Sequence, residues 1–143
     1  MEEYEIRISS TKEEIKEIEI LRRKAFHLKM DSINRFEFHI KYNKIIPFAM
    51  YKDNEIVAGC YIMENFDSLY VSFLFVEEQY RNQGLRLGRR LLSYILENKE
   101  MVEERFNRQF DYSRLHPNNE KSRSIYKKVG YEDTSCPIME KKL

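Results

Sequence analysis

What this sequence lacks narrows its class before any motif is considered. No apolar run approaches the ~20 residues of a membrane span. The opening residues, MEEYEIRISS, are acidic and have no apolar core of the kind a signal peptide carries. A membrane partner is therefore not expected. Net charge is almost absent: 25 Lys and Arg against 24 Asp and Glu leave a formal +1. Without a global field to draw in phosphates, nucleic acid is not an expected partner either, though local arginine clusters remain candidate anion sites. Cysteine is scarce, and Cys60 and Cys136 stand too far apart for a metal or redox motif. No metal is expected, and the setting read from these absences is a reducing cytoplasm. Repeats, linkers and low-complexity segments are missing too. The 143 residues read as one domain, 1–143, and a composition 42% hydrophobic and 34% charged fits a soluble globular protein.

What is present is organised around residues 69–98, LYVSFLFVEEQYRNQGLRLGRRLLSYILEN. An apolar, β-favouring run over 69–76 reads as a buried strand. A polar turn containing Gly84 and Gly88 follows. A helical stripe comes next, with Leu87, Leu91 and Ile95 in line and Leu92 and Leu96 beside it. A strand feeding a glycine turn that opens a helix is an anion-binding device, because backbone N–H groups and the positive end of the helix dipole converge there. Arg81, Arg86, Arg89 and Arg90 add charge around it. The turn has neither the Lys-Ser/Thr of a nucleotide P-loop nor the close glycines of a dinucleotide fingerprint.

Upstream, residues 4–8 alternate as a strand. Ser10 or Thr11 can cap the next helix, and with Thr11 as N-cap Glu14 completes a capping box; the helix stripe is Ile15, Ile18, Leu21, Ala25 and Leu28, ending near Lys29. A second helix is expected over 33–42. Strands over 47–52 and 55–63 meet at Asp53-Asn54, a hairpin signal. Downstream, a weaker strand is expected over 106–115, a short helix over 120–128 stopped by Gly130, and a last strand over 137–142. The order β-α-α-β-β-β-α-β-α-β is mixed α/β.

Two segments carry a family resemblance. Tyr80-Arg81-Asn82-Gln83-Gly84-Leu85 resembles motif A of the GNAT superfamily of acyl-CoA-dependent N-acyltransferases, Arg/Gln-x-x-Gly-x-Gly/Ala. Arg86 stands where the second small residue belongs. If Arg86-Leu87 is a two-residue insertion, the pattern resumes at Gly88, so a lengthened loop is expected with its helix starting near Leu87 or Gly88. The segment NNEKSRSIYKKVGY resembles motif B of the same superfamily through Asn119, Ser122, Ile125-Tyr126 and Gly130-Tyr131. Asp53 to Gly59 resembles the superfamily's hairpin before the binding strand.

The resemblance implies a GNAT-like fold, a central mixed and mostly antiparallel sheet flanked by helices. It implies an N-acetyltransferase that moves an acetyl group from acetyl-CoA to an amine of a small molecule or protein. The alternative is an acyl-CoA-binding regulatory module of the same fold with little turnover. It assigns the pantetheine arm to the backbone of Leu74, Phe75 and Val76, lying like an added strand. It assigns the pyrophosphate to Arg81, Asn82, Gln83 and Gly84, with Leu85, Arg86 and Gly88 in the lengthened part. Asn119 and Ser122 join the donor site. Tyr126 becomes the general acid for the departing thiolate. The general base is left among His116, Glu64 and water, because the binding strand offers Tyr70 and Ser72 rather than a carboxylate. Arg114 stands where the ribosomal-protein alanine acetyltransferases carry a glutamate, which counts against that substrate. Acceptor identity, the use of longer acyl groups and a homodimer all stay open.

Overall fold

The computed structural model describes residues 3–31, 40–41 and 44–143. Strand β1 (Glu5–Ile8) leads into helix α1 (Lys12–Ala25). Thr11 caps α1 and accepts the Glu14 N–H at 3.1 Å, while Glu14 reaches back to close the expected box. The helix ends at Ala25, short of the expected Lys29. His27 turns to a φ of +56°, and the Leu28 N–H bonds the Arg23 carbonyl at 2.7 Å while the His27 N–H takes Lys24 at 3.3 Å. That is a left-handed C-terminal closure made without glycine. The helix expected over 33–42 lies outside the described residues, except for Ile40 and Lys41.

Strands β2 (Ile46–Lys52), β3 (Glu55–Asn65) and β4 (Ser68–Val76) form an antiparallel meander. Asp53 and Asn54 carry φ values of +52° and +66°, the two left-handed residues a tight hairpin needs. Helix α2 (Leu87–Glu97) buries Leu87, Leu91, Leu92 and Ile95, the expected stripe. Helix α3 (Lys99–Phe106) was not expected: it is mostly charged and buries only Val102, so its periodicity is faint. The strand expected over 106–115 shrinks to β5 (Tyr112–Leu115), because Phe106 ends α3 and Asn107 turns left-handed at φ +55°. Helix α4 (Glu120–Val129) is capped by Asn119 and stopped by Gly130 at φ +110°. A two-residue strand β6 (Glu132–Asp133), also unexpected, precedes the last strand β7 (Met139–Lys142).

Among the described residues, seven strands form one sheet in the order β1-β2-β3-β4-β5-β7-β6, and of their pairings only β4/β5 is parallel. Along β2 the side chains alternate between two cores. Phe48 and Met50 pack with α2 and Tyr126, while Ala49 and Tyr51 pack with Ile15 and Ile18 of α1. Both faces are covered, which is why β2 reads as a continuous apolar run. Among the described residues, no helix is long and apolar enough to cross a membrane.

Candidate active site

The site begins with an irregularity in β4. Gly59 pairs with Phe75 and Tyr61 with Ser72, so Phe73 and Leu74 together oppose Cys60 alone. Phe73 takes a φ of +57°, an unusual conformation for a bulky residue. This bulge bends β4. The parallel ladder to β5 runs from Ser68↔Tyr112 to Val71↔Leu115 and goes no further. Beyond it the β4 edge facing β5 has no strand partner among the described residues, so backbone groups of Leu74, Phe75 and Val76 border an open wedge. A segment in extended conformation can complete such an edge by adding itself as a strand.

Two cavities occupy the wedge. The larger, about 570 Å³, runs along Leu74, Phe75 and Val76 into the turn after β4, with α4 as its other wall. The smaller, about 280 Å³, lies on the far side of the bulge beside Tyr70, Ser72, Phe73 and His116. Both are bordered by Phe26, Leu74, Asn118 and Tyr126. These four residues therefore form the junction between the two cavities.

At the end of the larger cavity, Arg81 Nε donates to the Val76 carbonyl at 2.6 Å and pins the turn to the strand. Gln83 donates to the Gln79 carbonyl, and Asn82 accepts from Lys121 across the cleft. Asn82, Gly84 and Arg86 all have positive φ, +57°, +72° and +56°. The helix begins at Leu87, as the lengthened loop requires, with Arg86 in the left-handed N-cap position. No side chain caps this end. Its first N–H groups are thus left for an anion, and Arg81, Arg86 and Arg89 border the same space. Gly88 sits against the strand: a Cβ there would lie 3.4 Å from the Val76 side chain. Gly88 therefore occupies the place where helix and strand need a small residue, and Arg86 does not.

On α4, Asn119 accepts the Ser122 N–H at 2.8 Å and Ser122 Oγ accepts the Asn119 N–H at 3.1 Å. Both side chains border the larger cavity while serving the cap. Tyr126, one turn on, is 7% exposed and packs edge-to-face on Tyr131 at 6.2 Å. Burial, with a small addition from Cys60, pushes its phenol up to about 12. Among the described residues its hydroxyl makes no hydrogen bond, and it borders both cavities. It is a protonated donor at the junction without an acceptor among the described residues.

The other expected residues fall as follows. Every donor-site residue from Leu74 to Gly88, with Asn119, Ser122 and Tyr126, borders the larger cavity. His116 borders the smaller one, exposed, with Nδ1 3.0 Å from the Pro117 carbonyl. Glu64 does not: it pairs with Arg108 at 3.1 Å, outside both linings. Arg114 is held by Asp67 and Glu140 away from the cavities. Sequence reasoning missed Lys121, Ile125 and Lys128, which face the larger cavity from α4. Their spacing from one another, four residues and then three, puts them on one face of the helix and was the available signal.

Residues 44–133 match the family described as acetyltransferase (GNAT) domain. No curated protein matches the chain by sequence. Among solved structures, a GNAT family acetyltransferase from Elizabethkingia anophelis with acetyl-CoA bound is 14% identical, with 98% of each chain covered and a TM-score of 0.70. The PaiA N-acetyltransferase from Thermoplasma acidophilum in complex with coenzyme A is 20% identical, with 99% of each chain covered and a TM-score of 0.64. A longer Pyrococcus horikoshii chain is 17% identical at a TM-score of 0.69; the match covers 92% of this protein and 44% of that one. At these identities the likeness is one of fold.

Proposed function

Given that the chain belongs to the GNAT acetyltransferase family, we propose that it transfers an acetyl group from acetyl-CoA to an amine. The observation that carries this reading is the junction at Tyr126. An unpaired strand edge leads from an uncapped, arginine-flanked helix N-terminus to a buried phenol, and a second cavity opens beyond it. Two solved structures of this fold hold acetyl-CoA or coenzyme A. The donor set suits such a molecule: N–H groups and arginines for a pyrophosphate, an open β edge for an amide-bearing arm, and a proton donor for a thiolate. A cytoplasmic location and a reaction without metal belong to the same proposal.

Each role follows from position. Arg81, Arg86 and the first N–H groups of α2 hold the phosphates, and the β4 edge aligns the arm. The same edge polarises the thioester carbonyl. The acceptor nitrogen bonds to the carbonyl carbon and the carbon–sulfur bond breaks. The nitrogen's surplus proton leaves through water or His116, which borders the acceptor side. Tyr126 donates to the departing sulfur. A phenol held near 12 stays protonated across the working range, so its role is a hydrogen bond to sulfur as charge develops.

Calorimetry with acetyl-CoA, followed by free-thiol release with a panel of amines, tests the proposal. Donor binding with acetylated product supports it. Binding with no thiol release from any amine would make the chain a regulatory acyl-CoA sensor, and no binding would remove the donor assignment altogether.

A further inference from the structure

The smaller cavity has an unusual wall. Among its described lining residues there is no aspartate, glutamate, lysine or arginine; the surfaces that define it are Phe26, Tyr70, Phe73, Leu115 and His116. Acceptors with several positive charges need carboxylates to hold those charges once water is displaced. The described part of this wall supplies none. It supplies the aromatic faces of Phe26, Tyr70 and Phe73 beside the polar Ser72 and Asn118, and a volume of about 280 Å³ suits a small molecule rather than a folded segment.

Phe73 dominates that wall. It is 44% exposed, carries a φ of +57°, and stands in the bulge that opens the wedge. Burial does not account for a strained aromatic that remains half in the open. Its orientation is nonetheless held firmly from behind. The Arg22 guanidinium lies over the ring at 4.3 Å, and Phe26 meets it edge-on at 5.6 Å. Arg22 is itself fixed by Glu19, fully buried on α1, through two bonds of 2.5 and 2.8 Å. Glu19 also takes Arg23 at 2.7 Å and the Tyr61 hydroxyl at 2.7 Å. A buried ionic cluster thus steadies one exposed ring. Strain of this kind persists where the surroundings fix it, and it gathers at binding sites.

We propose that the acceptor is a small primary amine carrying an aromatic body, and that Phe73 is the residue that selects it. The inference rests on the acetyl-transfer reading. The aromatic body packs against Phe73, Phe26 and Tyr70, placing the amine at the junction beside Leu74 and Tyr126. Polyamines, aminoglycosides and lysine side chains of basic peptides are disfavoured because their further charges meet no partner among the described lining residues.

The test compares 2-phenylethylamine, spermidine and a lysine-containing peptide by thiol release, with acetyl-CoA affinity measured separately by calorimetry. We expect kcat/KM for 2-phenylethylamine to exceed the other two by about tenfold or more, the scale of a lost apolar contact or an unpaired polar group. Phe73→Gly relieves the backbone and removes the ring. It should keep or raise Tm while lowering kcat/KM for 2-phenylethylamine about tenfold, chiefly through KM. Phe73→Tyr keeps the ring and should restore the preference. Transfer to spermidine or the peptide in preference to 2-phenylethylamine would overturn the inference and leave the acetyltransferase reading standing. A Phe73→Gly protein with its aromatic preference intact would do the same. Absence of acetyl-CoA binding would instead overturn the parent reading.

Discussion

Tyr126 carries the strongest expectation about a single side chain. Tyr126→Phe keeps the edge-to-face packing on Tyr131 and removes only a hydroxyl that makes no hydrogen bond among the described residues. If that hydroxyl meets the leaving sulfur, kcat should fall roughly 10²-fold with the acetyl-CoA Kd little changed. Pre-steady-state thiol release checks this even if product release limits turnover. Glu19 is the second residue to single out, and it was hidden in the sequence. It stands among the acidic residues Glu13, Glu14 and Glu17 with nothing local to set it apart, yet it is fully buried. Burial alone would push its carboxyl up, but hydrogen bonds from Arg22, Tyr61 and Arg23 outweigh that and hold it below the ordinary value. Glu19→Leu takes its carboxylate from Arg22, whose side chain is 11% exposed, and removes one of the partners of Arg23. Losing the carboxylate from that buried cluster should cost about 3–5 kcal/mol in urea unfolding. A loss well under 1 kcal/mol would mean the arginines simply turn to solvent.

At the scale of elements, the capping box of α1 makes a pH prediction. A hydrogen bond from Arg7, reinforced by the backbone of Thr11 and Ser10, holds the Glu14 carboxyl at about 2 instead of its ordinary 4.5. A carboxylate depressed on folding contributes stability that is complete above pH 4.5 and lost as pH falls through about 2. Glu14→Gln preserves the box geometry and removes the charge, so its unfolding free energy should vary less steeply across that window than wild type. Parallel slopes would place the acid sensitivity elsewhere. The turn after β4 makes the second prediction. Arg81 both pins Val76 and borders the cleft, so Arg81→Ala should weaken acetyl-CoA binding in calorimetry by about 1.5–3 kcal/mol, the scale of a charge-assisted bond. An unchanged Kd would confine Arg81 to fastening the turn. The start of α2 was legible because the phase of Leu87, Leu91 and Ile95 is unambiguous. Helix α3 was not, since one buried Val102 among charged residues gives no phase to count.

For the whole molecule, a donor bound as proposed would add itself to the open β4 edge as well as filling the cleft. Acetyl-CoA at about 100 times its Kd should stabilise the fold by about 2.7 kcal/mol, visible as a rise in Tm. Coenzyme A without the acetyl group should do nearly as much, because the phosphate and arm contacts lie away from the junction. No rise with either would contradict a preformed donor site. The sequence by itself determined strands β1 to β4, helices α1, α2 and α4, the cap at Asn119, the stop at Gly130 and the hairpin at Asp53-Asn54; it also singled out Arg81 to Arg86, Gly88, Asn119, Ser122 and Tyr126, which border one cavity. Those are local properties: periodicity, capping chemistry and left-handed turns depend on neighbours within a few positions. Tertiary structure alone decided where the sheet opens. The bulge at Phe73 arises only from pairing with Gly59 and Tyr61, and the ladder to β5 ends at Val71 only once both strands are in place. It also decided that Glu19 is buried, that Glu64 faces Arg108 and not the cleft, and that Phe26, Tyr70 and Phe73 border one cavity. Each of those facts joins residues many positions apart, and no local pattern records which distant side chain will lie across from a given one.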